Sequence, residues 1–256
     1  MTFNIHQLTL NVADTLVCKD LTIRFNKNEI CAVLGVNGVG KSSLLHHMID
    51  CSSTSARQIV IDETPLNEYQ HHRKKLAQKT GILLQEYEYY FPCTVLEAVL
   101  IGRHPYLSQW QWETQHDIEI AEYALRQTGL FELKERMIDT LSGGEKRRLN
   151  LATLFTQDPD YYLLDEPTNH LDLHAQITML DLLKKHIQQK NKTAIMVIHD
   201  ANLAYRYCDT ALMLFGDGHW AYDSTKKLIN PKNLERLYGC PITTLSNQKQ
   251  TVFIPA

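Results

Sequence analysis

The sequence lacks any uncharged apolar run near the ~20 residues that a membrane-spanning helix requires, and its longest candidates, such as 194–198, have the length of a strand. The amino terminus lacks a basic stretch followed by an apolar one, which predicts no secretory signal. Among the six cysteines no pair has CxxC spacing, which predicts reduced thiols rather than a disulfide or metal framework. These absences together predict a cytosolic chain.

The sequence also lacks a strong charge of either sign. Its 26 Lys and Arg against 29 Asp and Glu give a net charge of −3, which argues against a polycationic nucleic-acid binder and predicts no nucleic-acid partner. Internal repeats, low-complexity tracts and Gly/Ser/Pro linkers are missing as well. With 44% hydrophobic residues, the chain is expected to form a single domain over residues 1–256 with a sizeable core.

Short apolar runs alternate with longer amphipathic stretches, a pattern typical of an α/β sheet protein. Helical spacing links Ile177, Leu180, Leu183 and Ile187. The first ~28 residues alternate apolar and polar, which predicts antiparallel strands at the amino terminus. Residues 86–158 carry helix signals without a convincing strand, so we expect a helical lobe inserted into a core of residues 1–85 and 159–256. The apolar runs expected to be strands are 30–34, 82–84, 161–164 and 194–198.

Each of these four runs is followed by glycine or a polar residue: Gly35, Gln85, Asp165 and His199. In open α/β sheets, ligands bind beyond the carboxyl ends of the strands. One such ending carries little information, because every strand must stop somewhere. Four endings with complementary chemistry predict one shared site.

Residues 35–42 read Gly-Val-Asn-Gly-Val-Gly-Lys-Ser and satisfy the P-loop pattern G-x-x-x-x-G-K-[ST] between a predicted strand and a predicted helix. The glycines let backbone N–H groups wrap a phosphate, and the helix amino terminus adds positive dipole. The motif predicts a P-loop NTPase core with a parallel sheet, an N-terminal antiparallel β subdomain and the helical lobe. The predicted nucleotide-binding residues here are Gly35, Val36, Asn37, Gly38, Val39, Gly40, Lys41, Ser42 and Ser43.

Lys41 is predicted to pair with the β and γ phosphates, and Ser42 to hold Mg²⁺. The run Tyr-Tyr-Leu-Leu before Asp165 and Glu166 would deliver Asp165 to the metal and let Glu166 reach the attacking water. Two adjacent carboxylates at a strand end repel each other. A bound cation would remove that conflict, so the pair supports a Mg²⁺ site.

Residues 141–145, Leu-Ser-Gly-Gly-Glu, lie between the P-loop and Asp165, and with them the chain resembles the ATP-binding cassette ATPases, whose hallmark is an LSGGQ-type signature. Ser142 and Glu145 also predict a capping box for the following helix, and both interpretations can hold together. The resemblance implies that Ser142, Gly143, Gly144 and Glu145 contact ATP held by the P-loop of a second copy.

The resemblance extends over nearly the whole chain and implies further roles. Gln85 matches the Q-loop glutamine, which senses Mg²⁺ and water, while Glu166 matches the catalytic glutamate and His199 the switch histidine. Lys41 and Gln85 join these two as the expected catalytic residues, and Ser42, Gln85 and Asp165 are the expected metal ligands. Asp172 falls in the D-loop, and Val12 stands where the family usually has an adenine-stacking aromatic.

The segments 98–105, 206–209 and 233–239 resemble the importer branch that handles iron-siderophores, haem and vitamin B12. That resemblance implies a homodimer with two ATP sandwich sites on the inner face of the membrane. It also implies separate transmembrane permease subunits and, indirectly, a substrate-binding protein. Two alternatives stay open. One is a soluble translation-associated cassette, because the sequence of residues 165–172 is also common in that class. The other is the detached ATPase of an exporter.

Aromatic residues cluster directly after Gln85. Tyr87, Tyr89, Tyr90 and Phe91 stand in a polar-flanked loop, followed by Pro92 and a capping box at Thr94. Exposed aromatics rimmed by charge are typical interface anchors. We therefore predict that charge substitution at Tyr89 or Tyr90 uncouples the ATPase from its membrane partner.

Overall fold

The computed structural model describes residues 2–85, 91–247 and 251–256. The predicted interface residues Tyr87, Tyr89 and Tyr90 lie outside these ranges, and the prediction made for them stays a prediction. The strands are β1 Phe3–Val12, β2 Thr15–Phe25, β3 Ile30–Gly35, β4 Ile59–Ile61, β5 Thr64–Pro65, β6 Thr80–Leu83, β7 Tyr161–Asp165, β8 Thr193–Val197, β9 Thr210–Leu214, β10 Trp220–Ser224, β11 Ile242–Ser246 and β12 Thr251–Pro255.

The helices connect these strands. They are α1 Lys41–His47, α2 Arg73–Lys79, α3 Val95–Leu100, α4 Gln115–Gln127, α5 Gly143–Gln157, α6 Leu173–Lys190, α7 Ala201–Tyr207, α8 Thr225–Leu228 and α9 Pro231–Tyr238, with short 3₁₀ turns between some of them. None of the helices in the described ranges is long and apolar enough to cross a membrane.

A six-stranded sheet in the order β10-β9-β3-β8-β7-β6 forms the centre of the molecule. Neighbours from β9 to β6 run parallel, and β10 pairs with β9 antiparallel. The predicted α/β fold with a parallel-sheet core is confirmed. Because parallel strands need both faces covered, their side chains read as continuous apolar runs, and all five residues of β7 and of β8 are buried.

The two faces of this sheet contribute to two separate hydrophobic cores. On β7, Tyr162 and Leu164 pack with the helices α4, α5 and α6. Tyr161 and Leu163 point the other way, toward α1 and the antiparallel sheet. This alternation follows from the two-residue period of a strand.

The antiparallel sheet has the order β2-β1-β4-β5. Its register pairs Phe3 with Phe25 and Ile5 with Ile23, and all four of these residues are buried. The predicted amino-terminal antiparallel strands are therefore confirmed.

Between the core strands β6 and β7, the described residues 91–158 form helices and 3₁₀ turns, with one isolated bridge from Thr94 to Met137. The helix α3 begins at the predicted capping box, in which Thr94 accepts from the Glu97 backbone and Glu97 accepts from Thr94. Gly129, with φ of +69°, follows the end of α4. The exact limits of the helical lobe stay a prediction.

Candidate active site

A cleft of about 510 Å³ lies at the carboxyl edge of the central sheet; Gln85 and His199 line it, and Gly35 and Asp165 are hydrogen-bonded to the lining residues Lys41 and Ser42. Gly35 and Asp165 are the last residues of their strands, whereas Gln85 and His199 each follow theirs by two residues. The cleft is lined by Val12, Asn37, Gly38, Gly40, Lys41, Ser42, Ser43, Gln85, Glu166, Asn169 and His199.

The loop before α1 can form only with glycine at its end. Gly40 caps α1 with φ of +97°, a left-handed conformation that side chains disfavour. A Cβ atom at this position would lie 2.5 Å from Cγ2 of Val17 on β2, so any larger residue would push the loop off the antiparallel sheet. The amino terminus of α1 therefore opens directly into the cleft, where its dipole favours an anion.

Lys41 is buried at the start of α1. Its Nζ donates to the carbonyl oxygens of Gly35 and Val36, each at 3.0 Å. Burial lowers the pKa of this amine, while the charges of Glu166 and Asp165 act in the opposite direction. The ammonium group thus lies at the start of α1 beside a glycine-containing loop, an arrangement that phosphate oxygens complement.

Ser42 and Asp165 form the centre of the predicted metal site. The Ser42 hydroxyl donates to Oδ1 of Asp165 at 2.8 Å. Burial raises the pKa of Asp165, and the neighbouring Glu166 charge adds to that rise. A carboxylate disfavoured in this way is stabilised by a divalent cation. An adjacent hydroxyl and carboxylate are also the ligands that Mg²⁺ takes from protein when phosphates and water supply the rest, so the residues present fit Mg²⁺.

Glu166 is held at both carboxylate oxygens. His199 Nε2 lies 2.5 Å from Oε1, and Asn169 Nδ2 donates to Oε2 at 3.0 Å. The residue itself adopts a left-handed backbone with φ of +48°. Such strain is kept only where the surroundings determine it, often at reactive sites. Sequence reasoning missed Asn169, although its position three residues after Glu166 on a turn was a usable signal.

Arg147 on α5 is a second residue that sequence reasoning missed. Its buried guanidinium donates from Nε to the Pro167 carbonyl at 3.0 Å and from Nη2 to the Glu166 carbonyl at 2.5 Å. Nη1 donates to the carbonyls of Leu84 at 3.2 Å and Gln85 at 2.5 Å. Burial lowers the pKa of Arg147, and the nearby carboxylates of Asp165 and Glu166 oppose that shift. One side chain therefore ties α5 to the backbone on two sides of the cleft.

Residues 142–145 lie at the amino terminus of α5 and, among the described residues, are not part of the cleft lining. Ser142 and Glu145 form the predicted capping box, in which the Glu145 carboxylate accepts from the Ser142 backbone and hydroxyl at 2.7 Å each. A Cβ atom on Gly143 or Gly144 would meet nothing within 4 Å. This helix end is therefore open to solvent on its glycine face.

Two other predicted site residues are placed by local structure. Asp172 caps α6 by accepting from the Ala175 backbone at 2.8 Å. Val12 ends β1 and lies beside Ser42 and Ser43 at the rim of the cleft. Its side chain is about one-third exposed, which leaves an apolar surface free beside the phosphate loop.

The cleft has the components of a nucleoside triphosphatase. A P-loop with a buried lysine would hold the phosphates, and Ser42 with Asp165 would hold Mg²⁺, which polarises the phosphoryl oxygens when bound. Glu166 would accept a proton from water, and the His199 imidazole, hydrogen-bonded to its carboxylate, would orient it. The fold and the site together define a P-loop nucleotide hydrolase.

The sequence pattern of the ABC transporter family matches residues 18–169, more than half of the chain. The chain is 34% identical to the petrobactin import ATP-binding protein FpuD of Bacillus anthracis, an alignment covering 93% of this chain and 87% of the relative. It is 32% identical to the ferric enterobactin transport ATP-binding protein FepC of Escherichia coli (strain K12), covering 91% and 85%. The chain belongs to the ABC transporter family.

The solved structures agree with this assignment. An inward-facing ABC transporter, described as of metal-chelate type, superposes with a TM-score of 0.87 at 26% identity, covering 100% of this chain and 97% of the other. Part of the ABC transporter complex cbiONQ, cbiO1 of Clostridium perfringens, gives 0.77 at 27% identity, covering 91% and 92%. The protein is thus an ATP-binding, ATP-hydrolysing subunit that works with membrane permease subunits.

Proposed function

We propose that this chain powers the import of a metal chelate, of the siderophore, haem or cobalamin type, through separate transmembrane permease subunits. The similarity to ATP-binding proteins for petrobactin import and ferric enterobactin transport supports this cargo class. The proposal includes Mg²⁺ as the resident metal, a location on the inner face of the cell membrane, and indirect cooperation with a substrate-binding protein.

The observation that carries the mechanism is the separation of the phosphate cleft from residues 142–145. Lys41, Glu166 and His199 line the cleft, while residues 142–145, the signature segment, have an open glycine face. A helix amino terminus that is exposed and does not line the cleft of its own chain is available to a nucleotide held by another copy. We infer that two copies sandwich two ATP molecules, each P-loop opposite the partner's signature segment.

In that dimer the residues divide the chemistry. Lys41 and the P-loop backbone bind the β and γ phosphates, and His199 stabilises charge developing on the γ-phosphoryl group. Glu166 positions water and accepts its proton. Gln85 lies on the cleft and its carbonyl is held by Arg147, so it is placed to report the state of the site to the permease side.

A transport assay tests the proposal. Cells in which the only copy of this chain carries Glu166→Gln are compared with wild type for uptake of radio-iron siderophores, haem and labelled cobalamin. We expect uptake of one chelate class to be lost in the variant and kept with Glu132→Gln, an exposed glutamate outside the cleft.

The two alternatives predict different outcomes of the same strains. If uptake of all three classes is normal and the chain sediments with ribosomes, it is a translation-associated cassette. If uptake is normal but efflux of a toxic compound fails, it is an exporter's ATPase.

A further inference from the structure

A loop between the 3₁₀ turn Ile101–Tyr106 and α4 presents two tryptophans to solvent. We call residues 108–113 the tryptophan loop. Trp110 is 92% exposed and Trp112 is 85% exposed, although tryptophan is on average a largely buried residue. The third tryptophan of the chain, Trp220, is only partly exposed and donates its indole N–H to the Lys19 carbonyl at 2.9 Å. The two tryptophans of this loop are therefore far more exposed than the third tryptophan of the same chain.

The tryptophan loop has a defined conformation. Ser108 donates from its backbone and hydroxyl to Oε1 of Gln111 at 3.1 and 2.8 Å, and the Gln111 backbone donates back to the Ser108 carbonyl at 3.2 Å. Trp110, at the tip, has φ of +72°. A bulky side chain rarely adopts this conformation. The turn thus holds the indole rings outward at a conformational cost, which is a reason to look for a function.

A basic segment lies beside this loop. Residues 71–75 read His-His-Arg-Lys-Lys, and all five are exposed. Lys74 Nζ donates to the Leu107 carbonyl at 2.5 Å, directly before the tryptophan loop, and Gln78 on α2 donates to the Pro105 carbonyl at 2.8 Å. These bonds fix the basic segment against the base of the loop.

We propose that the tryptophan loop and the basic segment form a contact with anionic lipid headgroups at the membrane surface. Tryptophan prefers the membrane–water interface, where its ring is apolar and its N–H stays wet. Each Lys or Arg near an anionic leaflet adds attraction. The exposed side chains of Arg73, Lys74 and Lys75 therefore complement an anionic bilayer, and the two indoles, at positions 110 and 112, supply the apolar anchor. The inference goes beyond ATP-driven transport and relies on it only for the presence of a membrane nearby.

Vesicles containing brominated acyl chains test the contact directly. In Trp220→Phe, all tryptophan emission comes from Trp110 and Trp112. The full chain is mixed with vesicles of phosphatidylcholine containing about one-third phosphatidylglycerol, and with phosphatidylcholine alone. We expect a blue shift and bromine quenching with the anionic vesicles, and much less of either with the neutral ones.

Two sets of variants assign the effect to its parts. Trp110→Ser with Trp112→Ser should abolish co-sedimentation with anionic vesicles. Arg73→Gln or Lys75→Gln should each weaken it by roughly fivefold at low salt, and high salt should do the same to the wild type. ATPase activity of the isolated chain should stay within a few-fold in every variant, which shows that the fold and the proposed catalytic function are intact.

Absence of quenching at low salt overturns the proposal, as does vesicle binding that is unchanged in the double tryptophan variant. If the double variant leaves vesicle binding intact but prevents assembly with the permease in detergent, the loop contacts protein and the lipid assignment is wrong. None of these results depends on cargo, so failure here is distinguishable from failure of the import function.

Discussion

The phosphate cleft and the signature segment satisfy their polar groups in opposite ways. In and beside the cleft, Lys41, Asp165 and Arg147 are buried. Asp165 accepts from Ser42, 123 residues earlier in the chain, and Arg147 donates to the backbone of other segments. In the signature segment, Ser142 and Glu145 hydrogen-bond to each other within one helical turn; Ser142 is exposed and Glu145 is partly exposed. Burying the charged groups of the first region costs free energy and requires the whole fold, whereas the hydrogen bonds of the second region form within one helical turn.

This difference fits the proposed dimer, in which each site would combine the cleft of one copy with the signature segment of the other. Buried charges need a fixed environment, so the cleft must be complete before ATP arrives. An exposed helix end that is already capped can stay stable without its nucleotide. Such a helix end can therefore remain solvent-exposed in the monomer and still be available to a second copy.

The largest expected effect is in the cleft. Lys41→Ala should abolish productive ATP binding and turnover, because no other described cation lines the phosphate loop. Nucleotide affinity by calorimetry and phosphate release measure this. Lys27→Ala, at an exposed lysine on a turn, is the matched control. Near-normal hydrolysis in Lys41→Ala would remove the basis for the phosphate assignment.

Glu166→Gln should retain ATP binding and reduce hydrolysis by roughly 10²-fold or more, the scale of losing a general base. In the proposed sandwich, closure would last until hydrolysis, so the variant should also run as a dimer in size-exclusion chromatography with Mg-ATP. The structure adds that Gln can still accept from Asn169, so folding should be normal. A variant that stays monomeric at saturating ATP counts against the sandwich.

Ser142→Ala distinguishes the two regions. We expect ATP binding to the monomer to be unchanged, while dimer-dependent hydrolysis falls by about tenfold, since the serine would contact the partner's γ-phosphate. Loss of the cap should also cost ~1 kcal/mol of stability. Thr94→Ala removes a comparable exposed capping box on α3 and should cost similar stability without affecting hydrolysis. Equal kinetic losses in both variants would mean that only the cap matters.

The smallest effects concern pH and should have opposite signs in the two regions. Burial raises the pKa of Asp165, so its ionisation disfavours the folded state once the pH exceeds the ordinary value near 3.8. Asp165→Asn should therefore raise the melting temperature of the nucleotide-free chain by a few degrees at neutral pH, and this gain should vanish toward pH 3–4.

The Ser142 backbone and hydroxyl hold the pKa of Glu145 below its usual value. This stabilising contribution is present above the ordinary pKa and is lost as pH falls through the lowered one. Glu145→Gln should therefore lower the melting temperature slightly at neutral pH. Melting curves for both variants from pH 4 to 8 measure these slopes, and slopes of the same sign would refute the contrast.

Much of the site could be predicted because its motifs are local. The P-loop and the capping boxes at Thr94 and Ser142 are set by residues within a few positions of one another, and the structure has both caps as expected. The central strands β3, β6, β7 and β8 were predictable as apolar runs that end in polar residues.

Elements defined by distant contacts were harder to predict. The strand β9 is apolar like its neighbours, but it is followed by Phe215 and Gly216, which indicate no chemistry. The hairpin of β11 and β12 is mostly exposed and lacks a clear alternation. Arg147 reads as one of three basic residues on a helix surface. One energetic signal could have pointed to its role. A cation near a helix amino terminus is disfavoured by the helix dipole, unless it donates hydrogen bonds to carbonyl oxygens of other segments.

The Arg147 contacts have a consequence for how two sites in a dimer would communicate. The helix α5, which carries Arg147, begins at the segment expected to contact the ATP bound by the partner. The Arg147 guanidinium donates to the carbonyls of Gln85 and Glu166, which line the cleft of its own chain. In the proposed dimer, a shift of α5 caused by nucleotide at one site would therefore displace the backbone of Gln85 and Glu166 at the other. Hydrolysis should then be cooperative in ATP concentration, with a Hill coefficient above one that Arg147→Met reduces.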